Sequence, residues 1–145
     1  MSLDGDYDHG NIFARILRGE IPCANIMEDA RALAILDAFP QSHGHCLVLP
    51  KYPARNLLEL PPEEIGPLMH MVQRLAMAVR AALAPDGLLI SQFNGAPAGQ
   101  TVFHLHVHII PRYQGQSLAG HGTGSQADLA GLERLAAQIR AKLPA

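Results

Sequence analysis

The sequence predicts an α+β domain: about five strands in a mostly antiparallel sheet, one long helix, a short N-terminal helix and a C-terminal helix. Three observations lead there. Apolar runs of strand length recur, each closed by Gly, Pro or Asp. One long stretch of helical periodicity interrupts them. Most connections between the runs are too short for parallel crossovers, which need a dozen residues or more. At 145 residues the chain forms one domain with a real core, about residues 10–113, with residues 1–9 flexible and 114–145 a C-terminal extension.

Ile12, Phe13, Ile16 and Leu17 share one face of a short helix that Gly19 and Pro22 stop. Two strands follow, around Ala24–Met27 and Ala32–Leu36, separated by the turn-prone Glu28-Asp29. Cys46–Leu49 is the third, ended by Pro50. Pro61-Pro62-Glu63-Glu64 opens the long helix, whose apolar residues from Ile65 to Leu83 follow i, i+3, i+4, i+7 spacing. Pro85-Asp86-Gly87 stops it. Leu88–Phe93 and Val102–Ile110 are strands four and five, joined by the Gly/Pro-rich loop Asn94–Gln100. The strands flanking the long helix are taken as antiparallel. A flexible segment, Gln114–Gly124, then leads to a helix from about Asp128 to Leu143.

Hydrophobic residues make up 48% of the chain, charged residues 17%, and the net charge is -2, so nothing marks a binder of duplex nucleic acid or of an anionic membrane. No apolar run approaches the roughly 20 residues of a membrane span. The acidic start, Met1 to Asp6, lacks a leader pattern, and Cys23 and Cys46 form no C-x-x-C pair or disulfide framework. A reducing, cytoplasmic setting is expected. The edges of so small a sheet, with Met69, Met71, Met77 and Ala78 outside a single helical stripe, lead us to expect a homodimer.

His104-Leu105-His106-Val107-His108 carries the chemistry. In a strand the three imidazoles share one face and the aliphatics the other. Histidine is a mediocre strand former, and Thr, Lys or Glu would serve a merely polar face equally well. A neutral imidazole, with a pKa of about 6.5, is a good nitrogen nucleophile near neutral pH.

The chain resembles the histidine-triad (HIT) family of nucleotide hydrolases and transferases. The resemblance rests on His104–Ile110, on Asn94-Gly95 and Ala98-Gly99-Gln100-Thr101-Val102-Phe103 before it, and on Gly19-Glu20-Ile21-Pro22, Asp37 and Gly44-His45-x-Leu47-Val48-Leu49-Pro50-Lys51 upstream. It implies the HIT-like fold and a nucleotidyl-histidine intermediate on His106, with His104 orienting and His108 and His45 contacting phosphate. His43, two positions from His45, reads as a loop residue, and His9, His70 and His121 as structural or solvent-facing. Asn94, Gly99, Gln100 and Thr101 would supply donors for phosphate or leaving group. Asp37 would accept the ribose hydroxyls, and Ile12, Phe13, Ile16 and Leu36 would hold the base. Arg112 and Tyr113 are weaker candidates for a leaving-group contact.

The chain departs from zinc-binding relatives at the first helix: where they carry Cys-x-x-Cys, it reads Asn11-Ile12-Phe13-Ala14. Without those thiolates a structural zinc site is not expected. The sequence thus predicts a metal-independent hydrolase or transferase acting on the α-phosphate of purine nucleotide derivatives, phosphoramidates or dinucleoside polyphosphates, with no cofactor. The alternative is a nucleotide-binding or scaffold protein with little turnover.

Overall fold

The structure, a computed structural model, describes residues 2–119 and 125–145. Its elements are α1 (Ile12–Leu17), β1 (Asn25–Glu28), β2 (Ala32–Leu36), β3 (Cys46–Pro50), α2 (Pro62–Leu83), β4 (Gly87–Ser91), β5 (Val107–Arg112) and α3 (Leu129–Arg140), with single 3-10 turns at Leu57–Glu59 and Ala96–Ala98. Five strands form one sheet in the order β1-β2-β3-β5-β4, every neighbouring pair antiparallel.

Alternation along the strands sorts the core into two layers. On β2 and β3, Ala32, Ala34, Leu36, Cys46 and Val48 point to the layer under α2 and α3. Leu33, Ile35, Leu47 and Leu49 point to the other face, where Phe13 of α1 covers them. Both strands are buried throughout, because helices cover the sheet from both sides.

Local chemistry fixes the helix ends. Asn11 caps α1 by accepting from Ala14 N–H, Pro62 and two glutamates occupy the first turn of α2, and Asp128 caps α3 through Gly131 N–H. Arg140, in the last turn of α3, donates to the carbonyls of Asn25 and Ile26 and so occupies the outer edge of β1.

Two expectations require correction. β3 and β4 are not antiparallel: β5 lies between them and pairs antiparallel with both, so they run in the same sense without touching. The 22-residue α2 is long enough for such a crossover. The fifth strand also begins later than expected. Its ladder starts at Val107↔Val48 and His108↔Ser91; β4 ends there, while β3 continues to Pro50 without a ladder partner from β5, so only His108 of the three histidines belongs to a strand.

Residues 2–9, expected to be flexible, make specific contacts. Asn56 Nδ2 donates to Leu3 O at 3.1 Å, and Arg18 Nη1 donates to His9 O at 2.7 Å. The expected flexible segment 114–124 lies partly outside the described residues, as does His121.

Candidate active site

Although His104 and His106 lie outside the strand, the alternation of faces survives: Leu105 and Val107 enter the α2 layer while the imidazoles face the other way. Leu105 N–H, donating to Ala54 O, holds this approach segment in place of a ladder partner. His45 reaches the same cluster from the start of β3. The β2–β3 ladder runs one bond further through Asp37 N–H to His45 O, which brings Asp37 and His45 together. Gly44 permits that turn: its φ is +93°, and a Cβ there would collide with Leu83.

The four imidazoles are buried (His104 0%, His106 6%, His108 1%, His45 1% exposed), and His43 is exposed, as its reading as a loop residue expected. Their protons follow from their partners, because a carbonyl can only accept and a backbone N–H only donate. Nδ1 of His106 lies 2.6 Å from His104 O, so Nδ1 carries the proton and Nε2 keeps the basic electron pair. Nε2 of His104 donates to Pro50 O at 2.8 Å. Nδ1 of His45 accepts Gln41 N–H at 3.0 Å, so its Nε2 is the donor, 2.9 Å from His108 Nδ1 and 3.4 Å from Asp37 Oδ2. His108, accepting at Nδ1, carries its proton on Nε2. Burial beside His106 pushes the His104 pKa down to about 4, against the pull of the Pro50 carbonyl, so the ring is neutral at pH 7.

A cavity of about 330 Å³ opens beside this cluster. Of the residues singled out in the sequence, His106, His108, Asp37, Thr101, Ile12, Phe13, Ile16 and Leu36 line it. Phe13 packs edge-on against His106, with ring centroids 4.8 Å apart. Asp37 Oδ1 accepts Phe39 N–H, which orients the carboxylate and leaves it further acceptor capacity.

The rest of the expected donor loop is occupied elsewhere. Gln100 is buried, donates from Nε2 to Arg55 O and Val102 O, and accepts Gly95 N–H at Oε1. Its amide braces the loop through these three bonds. Asn94 is likewise tied to Gln92 and Leu57 N–H. Gly99 caps the 3-10 turn with φ +109° beside Phe93, away from the cavity lining. Tyr113 donates to His43 O, and Arg112 stands at the far end of β5.

A family model described as the HIT domain matches residues 18–115, two thirds of the chain. The chain belongs to the histidine-triad family. A HIT-like protein of Bartonella henselae, described as involved in cell-cycle regulation, is 43% identical with a TM-score of 0.91, over 96% of this chain and 100% of that one. An adenylylsulfatase of Arabidopsis thaliana is 43% identical over 70% of this chain, which spans only 51% of that protein's length. An adenosine 5′-monophosphoramidase of Schizosaccharomyces pombe is 41% identical over 70% of this chain and 73% of its own.

Asn11 and Ala14, where the sequence lacks the thiolate pair, build a helix cap, Asn11 Oδ1 accepting Ala14 N–H at 2.9 Å. Cys23 and Cys46 are free thiols. Asp37, His45 and His108 do present one ligand atom each within 4.8 Å of one another. With its proton on Nε2, His45 donates within that group.

Sequence reasoning missed one wall of the cavity. Gln126, Ala127, Leu129 and Leu132, outside the matched histidine-triad domain, line it beside Asp37, and Ala127 N–H donates to Ala38 O at 2.8 Å. No local pattern announces this, because the wall exists only once α3 has docked.

Proposed function

We propose that this protein is a nucleotidyl-transferring hydrolase that attacks the α-phosphorus of adenylyl compounds with small leaving groups, such as a phosphoramidate. One observation carries the reading: His106 lines the cavity with Nδ1–H bonded to the His104 carbonyl, which leaves Nε2 as the nucleophilic nitrogen. Nε2 forms a bond to phosphorus as the bond to the leaving group breaks, and the leaving atom takes its proton from solvent. The carbonyl of His104 stabilises the positive charge that develops on the imidazole. Water then attacks phosphorus, the P–N bond breaks, a nucleoside monophosphate departs and His106 is regenerated.

The surrounding groups support this division of labour. His108 Nε2–H is a donor for a phosphate oxygen, Thr101 brings a hydroxyl to the cavity, and Asp37 suits a pair of ribose hydroxyls. Phe13, Ile12 and Ile16 suit the face of a base. The cavity volume, about 330 Å³, suits one nucleoside. The names of the fission-yeast and Arabidopsis relatives favour a small leaving group.

The test compares turnover of adenosine 5′-phosphoramidate and of diadenosine polyphosphates, each with and without EDTA. Faster phosphoramidate turnover that survives EDTA supports the reading. His106→Gly should abolish turnover while AMP binding stays within about tenfold, ~1.4 kcal/mol. Near-normal turnover by that variant would remove His106 as nucleophile. AMP binding without turnover of either substrate would leave a nucleotide-binding protein.

A further inference from the structure

Tyr7 lies 97 residues from His104 in sequence, and its hydroxyl meets His104 Nδ1 at 2.5 Å. The ring also packs edge-on to the imidazole, with centroids 5.7 Å apart. The segment that delivers it is pinned at both ends. Asn56 holds Leu3 O, Arg18 holds His9 O, and Ser2 and Leu3 sit so close to Gly95 that a Cβ there would lie 3.1 Å from Ser2 Oγ. This strap precedes residue 18, where the match to the family domain begins.

The direction of the Tyr7 bond follows from the other nitrogen. Nε2 of His104 faces the Pro50 carbonyl at 2.8 Å and must carry the proton there. Nδ1 of the neutral ring is then an acceptor, and Tyr7 O–H donates to it. The backbone carbonyl of the same residue receives Nδ1–H of His106 at 2.6 Å. One polar chain therefore runs from Tyr7 through the His104 ring to Pro50, and the His104 backbone continues it to His106.

We propose that Tyr7 is a positioning residue for the triad: its hydroxyl grips Nδ1 of the His104 ring, whose proton Pro50 holds on Nε2, and the ring fixed at both nitrogens keeps the His104 carbonyl in line with His106. Without the hydroxyl, a buried acceptor loses its donor. The His104 ring, held then only at Pro50, is free to tilt, and the tilt loosens the register of the His106 imidazole. The kinetic part rests on His106 being the nucleophile; the hydrogen-bond part does not.

The experiment compares wild type with Tyr7→Phe, which keeps the ring and removes only the hydroxyl, and with Tyr7→Ala. Long-range 1H–15N spectra of the imidazoles report the hydrogen bond at His104 Nδ1, because an acceptor nitrogen shifts upfield when it receives a hydrogen bond. Both proteins should give the Nε2–H pattern that Pro50 sets, with the Nδ1 resonance of Tyr7→Phe moved downfield toward that of a bare acceptor nitrogen at an almost unchanged unfolding midpoint. With adenosine 5′-phosphoramidate, Tyr7→Phe should lose about two- to tenfold in kcat, the span of one hydrogen bond, with KM within about twofold. Tyr7→Ala should add little to that loss. A wild-type His104 signature in Tyr7→Phe overturns the proposal. So does normal turnover by Tyr7→Phe alongside a defective Tyr7→Ala, which makes the strap a packing element only. If no substrate is turned over, the proposed activity fails, while the spectra still decide whether Tyr7 holds the His104 ring.

Discussion

Each imidazole of the cluster has one partner that leaves no choice of proton: a carbonyl for His104 and His106, a backbone N–H for His45, and the His45 ring for His108. Such partners pre-set the tautomers before substrate arrives, the condition under which fixed dipoles lower a barrier without reorganising. Burial has a cost visible in pH dependence. The His104 pKa falls from 6.5 in the unfolded chain to about 4. Above pH 6.5 both states are neutral; as pH drops, the unfolded chain takes the proton first and stability declines until about pH 4. The full loss is of the order of 3 kcal/mol. His104→Gln should therefore flatten the fall in urea midpoint between pH 6.5 and 4, and identical slopes would contradict it. Asp37 makes a separate prediction. If it accepts the ribose hydroxyls, Asp37→Ala weakens AMP binding by roughly 1.5–3 kcal/mol, the range of hydrogen bonds to a charged group, and leaves a 2′,3′-dideoxy analogue nearly unaffected. Equal losses for both ligands would mean that Asp37 acts through the loop it shares with His45.

At the scale of elements, α3 decides more than its place after the matched domain implies. Ile139 is fully buried in the α2 layer with Leu135 and Ala136, while Leu132 reaches both that layer and the cavity wall. The helix is part of the core that shapes the site. Ile139→Ala should lower stability by about 2–5 kcal/mol, read as one cooperative transition at a lower denaturant midpoint. A separate early transition would show that α3 unfolds alone. The loop bracing by Gln100 has the same character, joining residues 55, 95 and 102 through one amide.

For the whole molecule, the two sheet edges differ. Arg140 covers β1, whereas β4 exposes Leu89 and Ile90 at 41% each. The helix α2, in turn, exposes Ile65, Met69 and Met77, while Met71 and Ala78 are core residues. A bare edge strand and an exposed apolar helix face suit pairing about a two-fold axis. Sedimentation at micromolar concentration should give twice the 15.6 kDa chain mass, and Ile90→Lys should shift it toward one chain. A wild-type mass of one chain would refute the homodimer. No helix among the described residues is long and apolar enough to cross a membrane.

The sequence by itself determined what is periodic or covalent. It set the bounds of α2 at Pro62 and Leu83, β2 at Ala32–Leu36, and the alternation that sends Leu105 and Val107 one way and the histidines the other. Those features depend on residues within a few positions of each other, so the pattern carries them. Only the tertiary structure decided that β5 enters between β3 and β4, and that its ladder begins after His106. It alone turned Gln100 and Asn94 inward, brought Ala127 to Asp37, and set Tyr7 on His104 across 97 residues. A polar side chain has no periodicity to reveal its partner. Whether an amide meets a phosphate or a backbone carbonyl depends on which loops the closed sheet leaves beside it.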